Sequence, residues 1–399
     1  MREELVSHLE NLHLIYESQH GFRQGRSCLS NILTFLEKAT KAVDDGLSLD
    51  VIYLDLAKAF DKVPHERLLR KVVSHGIEGE VWLWLENWLK GREQRVCIDG
   101  SSSDWIKVLS CVPQCSVLGP ILFLVYINDV DLEVQNDILK FADDTKLYGV
   151  VTNTAQAESM QQDLSGLIRC TSQWQMKFNV DKCSVMHLGT RNIQYTYKMN
   201  GQVLQQVDAQ SDLGVVIRKD LKASDQCAKA YAKASRVLGM IGRNIRYKSR
   251  EVMLRLYKSM VKPDVEYCTV AWSPHYVKDK QLIEKIQRRF IKMIPGFEDL
   301  SYEEGLRILR LNTLEERRNR ADLILLFKMY KELSRPPFGS LFQLTNQDKT
   351  RGHTLKLTRH CTNRDVWLYF FSERVTNSWN QLDQSVVDVG FIWHQACAH

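Results

Sequence analysis

The sequence predicts an α+β fold, on two observations. Up to about residue 217, short apolar strands alternate with helical segments; from about Leu221 the apolar period becomes 3.6 and stays there. The first part should therefore hold a sheet with packed helices and the second an all-helical region. With 399 residues, 44% hydrophobic and 26% charged, the chain has the length of two or three ordinary domains and the composition of a globular protein.

The elements follow in order. Ser27 to Asp45 reads as a helix, with Leu29, Ile32, Leu33, Leu36, Ala39 and Val43 at helical spacing and Gly46 as its stop. Asp50-Val-Ile-Tyr-Leu54 is a nearly continuous apolar run ending at Asp55, the pattern of a central strand buried on both faces. Pro64 is placed to open a helix that Gly76 closes. Glu80 to Lys90 is a second helix whose tryptophans, Trp82, Trp84 and Trp88, read as an aromatic core face, with base stacking as the alternative. Strands are expected at Arg95–Asp99 and Trp105–Ser110, then an apolar helix from Leu118 to Val130.

Further strands are expected near Val185–Leu188, Tyr195–Met199 and Leu213–Ile217, beyond a helix at Ala155–Trp174. Helices at Ala223–Ile241, Ser249–Lys262, Val277–Ile294, Tyr302–Leu309 and Leu314–Leu333 complete the periodic part, and Pro336-Pro337 marks a linker. From Arg351 on, little period is visible.

Charge and cysteines narrow the class. The net charge is +6, yet Arg218 to Lys292 holds 19 Lys/Arg against 7 Asp/Glu, so this window carries +12 and the remainder is acidic. Such asymmetry favours a polyanionic partner. None of the ten cysteines forms a C-x-x-C pair, which reads as free thiols in a reducing compartment. His353, His360 and Cys361, with His394, Cys397 and His399, match no standard zinc spacing. With no apolar run of about 18 residues and no secretory pattern at Met1, an intracellular location, nuclear or cytoplasmic, is expected and a membrane partner is not.

Asp143 and Asp144 sit between two apolar runs, as at a hairpin tip. Such turns favour Asn-Gly or Asp-Gly, and two carboxylates about 4 Å apart repel by about 4 kcal/mol at an effective dielectric of about 20. A hard divalent cation such as Mg²⁺ would relieve that repulsion. Asp55, at the end of its own strand, would join the pair if the strands are neighbours, giving three carboxylates able to hold two ions for phosphoryl transfer.

Several stretches together resemble a known family. Tyr53-Leu-Asp55-Leu-Ala-Lys-Ala-Phe60-Asp61-Lys-Val-Pro64-His65, Val112-Pro113-Gln114-Cys115-Ser116-Val-Leu-Gly119-Pro120, Phe141-Ala-Asp143-Asp144 and Phe178-Asn-Val-Asp181-Lys182-Cys183 resemble successive palm motifs of a reverse transcriptase. Gln19-His-Gly21-Phe22-Arg23-Gln-Gly25-Arg26-Ser27 resembles its fingers motif, and Arg236-Val-Leu-Gly239-Met240 and Tyr267-Cys268-Thr-Val-Ala271-Trp272 extend the likeness to jockey-like non-LTR (LINE-type) retrotransposons.

The resemblance implies a right-handed polymerase: partial fingers over 1–48, an antiparallel palm sheet with packed helices over 49–217, basic thumb helices over 218–300, a helical C-terminal region over 301–335, and a linker with a poorly defined tail over 336–399. It implies RNA-directed DNA polymerisation with two Mg²⁺ ions, for which Mn²⁺ can substitute, on an RNA template with a DNA primer and dNTPs. Asp55, Asp143 and Asp144 would be the metal ligands and Lys182 a proton donor to pyrophosphate. Phe60 would be the gate against a ribose 2′-hydroxyl, Gln114 a nucleotide contact and Arg23 a phosphate contact.

Two departures bear on activity. Where the family pattern has Gly-Val-Pro-Gln-Gly-Ser, this chain has Cys111 and Cys115, and a side chain in place of either glycine would strain the backbone by about 1 to 3 kcal/mol. Met1 also lies only 18 residues before the Gln-His-Gly-Phe stretch, as expected of an N-terminally truncated fragment without the endonuclease and first fingers motifs. A catalytically inactive remnant that binds nucleic acid is the alternative reading.

Overall fold

The computed structural model describes residues 1–114, 116–345 and 353–388, so Cys115 and the His394, Cys397 and His399 cluster lie outside the described residues. The chain divides into two compact units, one built from residues 1–31 and 47–207, the other from 32–46 and the described residues from 208 on. Among the described residues no helix is long and apolar enough to cross a membrane.

The first unit is α+β. Its five-stranded sheet is centred on β1 (Leu49–Leu54), every residue of which is buried, as its unbroken apolar run requires. The other strands are β2 (Asp137–Phe141), β3 (Asp144–Val150), β4 (Ser184–Leu188) and the short β5 (Gln205–Gln206), in the order β5-β4-β1-β3-β2. β1 runs antiparallel to both β3 and β4, with Leu54 opposite Thr145 and Tyr53 opposite Ser184. Only β5 joins in parallel.

The helices of this unit are α1 (Arg2–Asn11), α3 (His65–Ser74), α4 (Gly79–Leu89), α5 (Gly119–Ile127) and α6 (Thr154–Gln173), while α2 (Cys28–Asp44) carries the chain into the second unit. α5 is apolar all round and eight of its nine residues are buried, the behaviour expected of a helix with no wet face. In α4 the buried positions are Leu85 and Leu89; Trp82 and Trp88 pack on the core, whereas Trp84 is 43% exposed, so the aromatic face is only partly a core face.

The strands expected at Arg95–Asp99 and Trp105–Ser110 shrink to two-residue pairs, Glu93–Gln94 with Ile106–Lys107 and Cys97–Ile98 with Ser101–Ser102. All eight residues are exposed, so no core supports longer strands.

Among its described residues the second unit is helical apart from a hairpin of β6 (Ala209–Asp212) and β7 (Val215–Arg218) and a single bridge between Leu344 and Leu357. α7 (Ser224–Asn244) buries Cys227, Ala230, Ala234, Leu238 and Ile241, a stripe at helical spacing that packs on α10 (Val277–Lys292). The helix expected over Ser249–Lys262 forms as α8 (Arg250–Leu256), a π-helical turn at Tyr257–Val261 and α9 (Lys262–Glu266). At that turn the Tyr257 ring stacks on Phe290, centroids 4.1 Å apart, and its hydroxyl donates to Gln287 Oε1 at 2.7 Å. α11 (Tyr302–Leu309) and α12 (Leu314–Tyr330) each begin with a capping box, at Ser301 and Thr313.

Over residues 353–388, where the sequence shows no clear period, burial sets the structure. α13 (Phe371–Asn380) places Trp379, 1% exposed, in the core, and Arg374 makes a two-pronged ion pair with the buried Asp322 of α12 at 2.8 and 2.9 Å. His353 and His360 are engaged with the Trp379 carbonyl and the Glu373 carboxylate.

Candidate active site

β1 and β3 bring the predicted carboxylates to one end of the sheet. Because Leu54 faces Thr145 in an antiparallel pair, Asp55 and Asp144 are the next residues of the same register, and Asp143 lies in the turn just beyond. The turn differs by one residue from expectation. Phe141 pairs with Asp144, so the central residues are Ala142 and Asp143, and Ala142 alone of the two takes the positive φ, +54°. Asp144 is thus the first residue of β3 and not a turn residue.

A residue other than glycine at positive φ needs its surroundings to hold it there. Gln19 does so: its Oε1 accepts from the Ala142 amide at 2.9 Å and from the Gly21 amide at 2.8 Å. Around it, the Lys140 amide donates to Ser18 O and its carbonyl accepts from the His20 amide, both at 2.8 Å. Gly21 is required here, since a Cβ would lie 2.6 Å from the Ala142 nitrogen. The Gln19-His-Gly21 stretch therefore braces the carboxylate turn, a role that sequence reading did not assign.

The charges at the site interact. Burial, and after it the negative charge of Asp55, hold the Asp143 carboxyl above the ordinary aspartate range, while the Lys182 charge and a backbone hydrogen bond pull it down. Lys182 Nζ lies 3.3 Å from Asp55 Oδ2, with its side chain 66% exposed. It reaches this position because the chain after β1 keeps pairing: the Ala57 amide donates to Lys177 O and the Asn179 amide to Asp55 O, each at 2.8 Å.

Phe60 is half-buried and stacked on Phe123, centroids 4.4 Å apart and planes 19° from parallel. Gln114 is exposed, with Nε2 3.3 Å from Asp61 Oδ1. The two are linked through the backbone, since the Val112 amide donates to Phe60 O and the Cys111 amide to Val63 O, both at 2.9 Å. Cys111 has φ +111°, the conformation a glycine would adopt without strain.

Arg23 is placed differently from expectation. Its guanidinium makes a two-pronged pair with Glu10 at 2.9 and 2.7 Å, donates to Tyr16 O at 2.9 Å, and is almost fully buried. These contacts hold the guanidinium within the first unit, so it does not stand free to meet a phosphate.

Among the described residues no three His, Cys, Asp or Glu side chains are gathered into a metal-holding group. The donor chemistry nevertheless fits a hard divalent cation: the donors are carboxylate oxygens, and the Asp55 charge acts on a partly desolvated Asp143 in the direction a cation would reverse.

Residues 1–240 match the family described as reverse transcriptase (RNA-dependent DNA polymerase). A probable RNA-directed DNA polymerase from transposon X-element of Drosophila melanogaster is 25% identical over 312 residues, covering 74% of this chain and 33% of that protein. The RNA-directed DNA polymerase from mobile element jockey of the same organism is 25% identical over 292 residues, 70% of this chain and 32% of the relative. The chain thus spans about a third of the length of these curated relatives. Among solved structures, apo telomerase from Candida tropicalis aligns over 83% of this chain and 58% of its own at 12% identity, with a TM-score of 0.45.

Proposed function

Since the chain belongs to the reverse transcriptase family, we propose that its first unit is the palm, with part of the fingers, of an RNA-directed DNA polymerase from a jockey-like non-LTR retrotransposon. The observation that carries this reading is the register that puts Asp55 beside Asp144 with Asp143 in the adjoining turn.

In this reading Asp55, Asp143 and Asp144 hold two Mg²⁺ ions. The ions supply charge neutralisation for the attacking 3′-oxygen and the departing pyrophosphate. Lys182 protonates the pyrophosphate. Phe60, kept in place by its stack on Phe123, closes the space below the sugar to a 2′-hydroxyl. Gln114, exposed on the loop that pairs with the Phe60 backbone, contacts the incoming nucleotide. The basic helices between Ala223 and Ile294 act as the thumb, holding an RNA–DNA hybrid by its phosphates, and the exposed Arg236, Arg243, Lys285, Arg288 and Arg289 supply charge for that grip.

The test is primer extension on an RNA template with dNTPs and Mg²⁺, using the purified chain beside Asp55→Ala and Asp143→Ala. Extension by the parent and its loss in both variants is the expected result. Extension that persists in both variants refutes the site. The alternative of an inactive nucleic-acid-binding remnant is favoured by the strained Cys111 next to the Gln114 loop, and it predicts salt-sensitive RNA binding with no extension by any form.

A further inference from the structure

The second unit contains a cavity of about 490 Å³ whose lining combines stacked rings with cations. This volume is in the range of small-ligand pockets. The His275 and Tyr369 rings lie parallel, centroids 4.3 Å apart with planes within 1°, and the Tyr276 ring lies 3.8 Å from His275, tilted by 44°. Tyr369, at the end of this stack, remains 40% exposed.

Four cationic side chains line the same cavity, and two of them are already committed. Arg218 pairs with Asp220 and Asp225, and Arg374 with Asp322. Lys222 and Arg364 make no ion pair among the described residues, and Asp365 is the sole carboxylate in the lining. His275 Nε2 is buried without a hydrogen-bond partner among the described residues. Burial holds the His275 pKa below its ordinary value, so at neutral pH the ring has one donor and one acceptor nitrogen.

We propose that this cavity receives an unpaired nucleotide of a single-stranded nucleic acid, its base stacking on Tyr369 and its phosphate meeting Lys222 and Arg364. An inorganic anion would use the cations and leave the rings idle. Inside a duplex both faces of a base are covered by the neighbouring pairs, so away from duplex ends only an unpaired base can offer its face to a tyrosine. Stacking platforms flanked by cations are the usual means of holding single strands without reading sequence. None of the lining residues belongs to the unit that holds Asp55, Asp143 and Asp144, so the site is additional to the polymerase centre and does not depend on that assignment.

The test is equilibrium binding of the full chain to a fluorescent 12-nucleotide oligouridylate, to a blunt RNA–DNA hybrid, and to uridine monophosphate as competitor. Tyr369→Ala should weaken single-strand binding about tenfold and leave hybrid binding unchanged, and Tyr369→Phe should restore it. Lys222→Glu, an exposed change that spares the fold, should weaken the single strand too, and Lys222→Ala should lower the salt slope by about one. An oligomer carrying one 4-thiouridine should photocrosslink to Tyr369 or His275. The proposal is overturned if Tyr369→Ala and Lys222→Glu bind the single strand like the parent, or if they weaken single strand and hybrid equally. It is also overturned if uridine monophosphate competes as well as the oligomer, or if the crosslinks map only elsewhere.

Discussion

Cys111→Gly should stabilise the first unit, contrary to the usual effect of introducing glycine. Cys111 is fixed at φ +111° by three backbone contacts: its amide donates to Val63 O at 2.9 Å, and its carbonyl accepts from Arg92 Nη2 at 2.8 Å and from His65 Nε2 at 3.1 Å. Contacts of this kind hold a strained residue in place, and the strain amounts to about 1 to 3 kcal/mol. Alanine removes the sulfur but keeps the Cβ, so the comparison of glycine with alanine isolates the backbone. At ordinary φ, glycine is worse than alanine by about 0.5 to 1 kcal/mol. Here relief of strain exceeds that entropy loss, and Cys111→Gly should be more stable than Cys111→Ala by about 1 kcal/mol. For a urea slope of about 2.5 kcal/mol/M that is a midpoint difference of about 0.4 M, or about 3 °C in melting temperature. Matched urea and thermal melts of the two variants read it directly. If alanine is as stable as glycine or more so, the backbone at 111 is not strained and the argument fails.

Asp143, whose pKa is raised, stabilises the fold in its protonated form; that contribution is full below the ordinary aspartate value of about 3.9 and is lost as pH rises through the folded-state value. Urea melts between pH 3 and 7 should show this loss in the parent and not in Asp143→Asn, and added Mg²⁺ should lower the Asp143 midpoint in a ¹³C-carboxyl titration. Lys182→Gln should move that midpoint further up, because the lysine charge lowers it; a downward move would contradict the assigned proximity. Gly21→Ala forces a Cβ to 2.6 Å from the Ala142 nitrogen and should destabilise by about 1 to 3 kcal/mol while displacing the Asp143 turn, seen as a changed Asp143 titration. In the second unit, burial pushes the Glu37 pKa up to about 8. Its stabilising contribution is full below the ordinary glutamate range and is lost as pH rises through about 8, so Glu37→Gln should flatten the fall in urea midpoint between pH 6 and 9.

β1 was legible because an unbroken apolar run has one stable destination, a strand covered on both faces. The helices α7, α10 and α11 were legible for the same kind of reason, since each buries one face at period 3.6. What sequence reading missed depends on partners far away in the chain. Arg23 reads as a free cation until Glu10 is seen closing on it in two places. The buried face of α13 mixes Ser372, Glu373 and Thr376 with Phe371, Val375 and Trp379, which blurs its apolar period; burial of Trp379 and the Asp322 to Arg374 pair, 52 residues apart, specify it.

The carboxylate turn shows most clearly how the two kinds of information differ. Local preferences place Asp-Asp at the tip of the hairpin; the actual tip is Ala142-Asp143, because an amide at position 142 can be held at positive φ by Gln19 Oε1, 123 residues earlier. Shifting the turn by one residue puts Asp144 in register beside Asp55 and leaves Asp143 half-buried just beyond it. The Gln19-His-Gly21 stretch carried a family resemblance but no mechanism as sequence. With Gly21 packed against Ala142 and Gln19 bonded to it, this stretch fixes the position of Asp143, so the two motifs form one structural element, and a change at either end should be read in the titration of the same carboxylate.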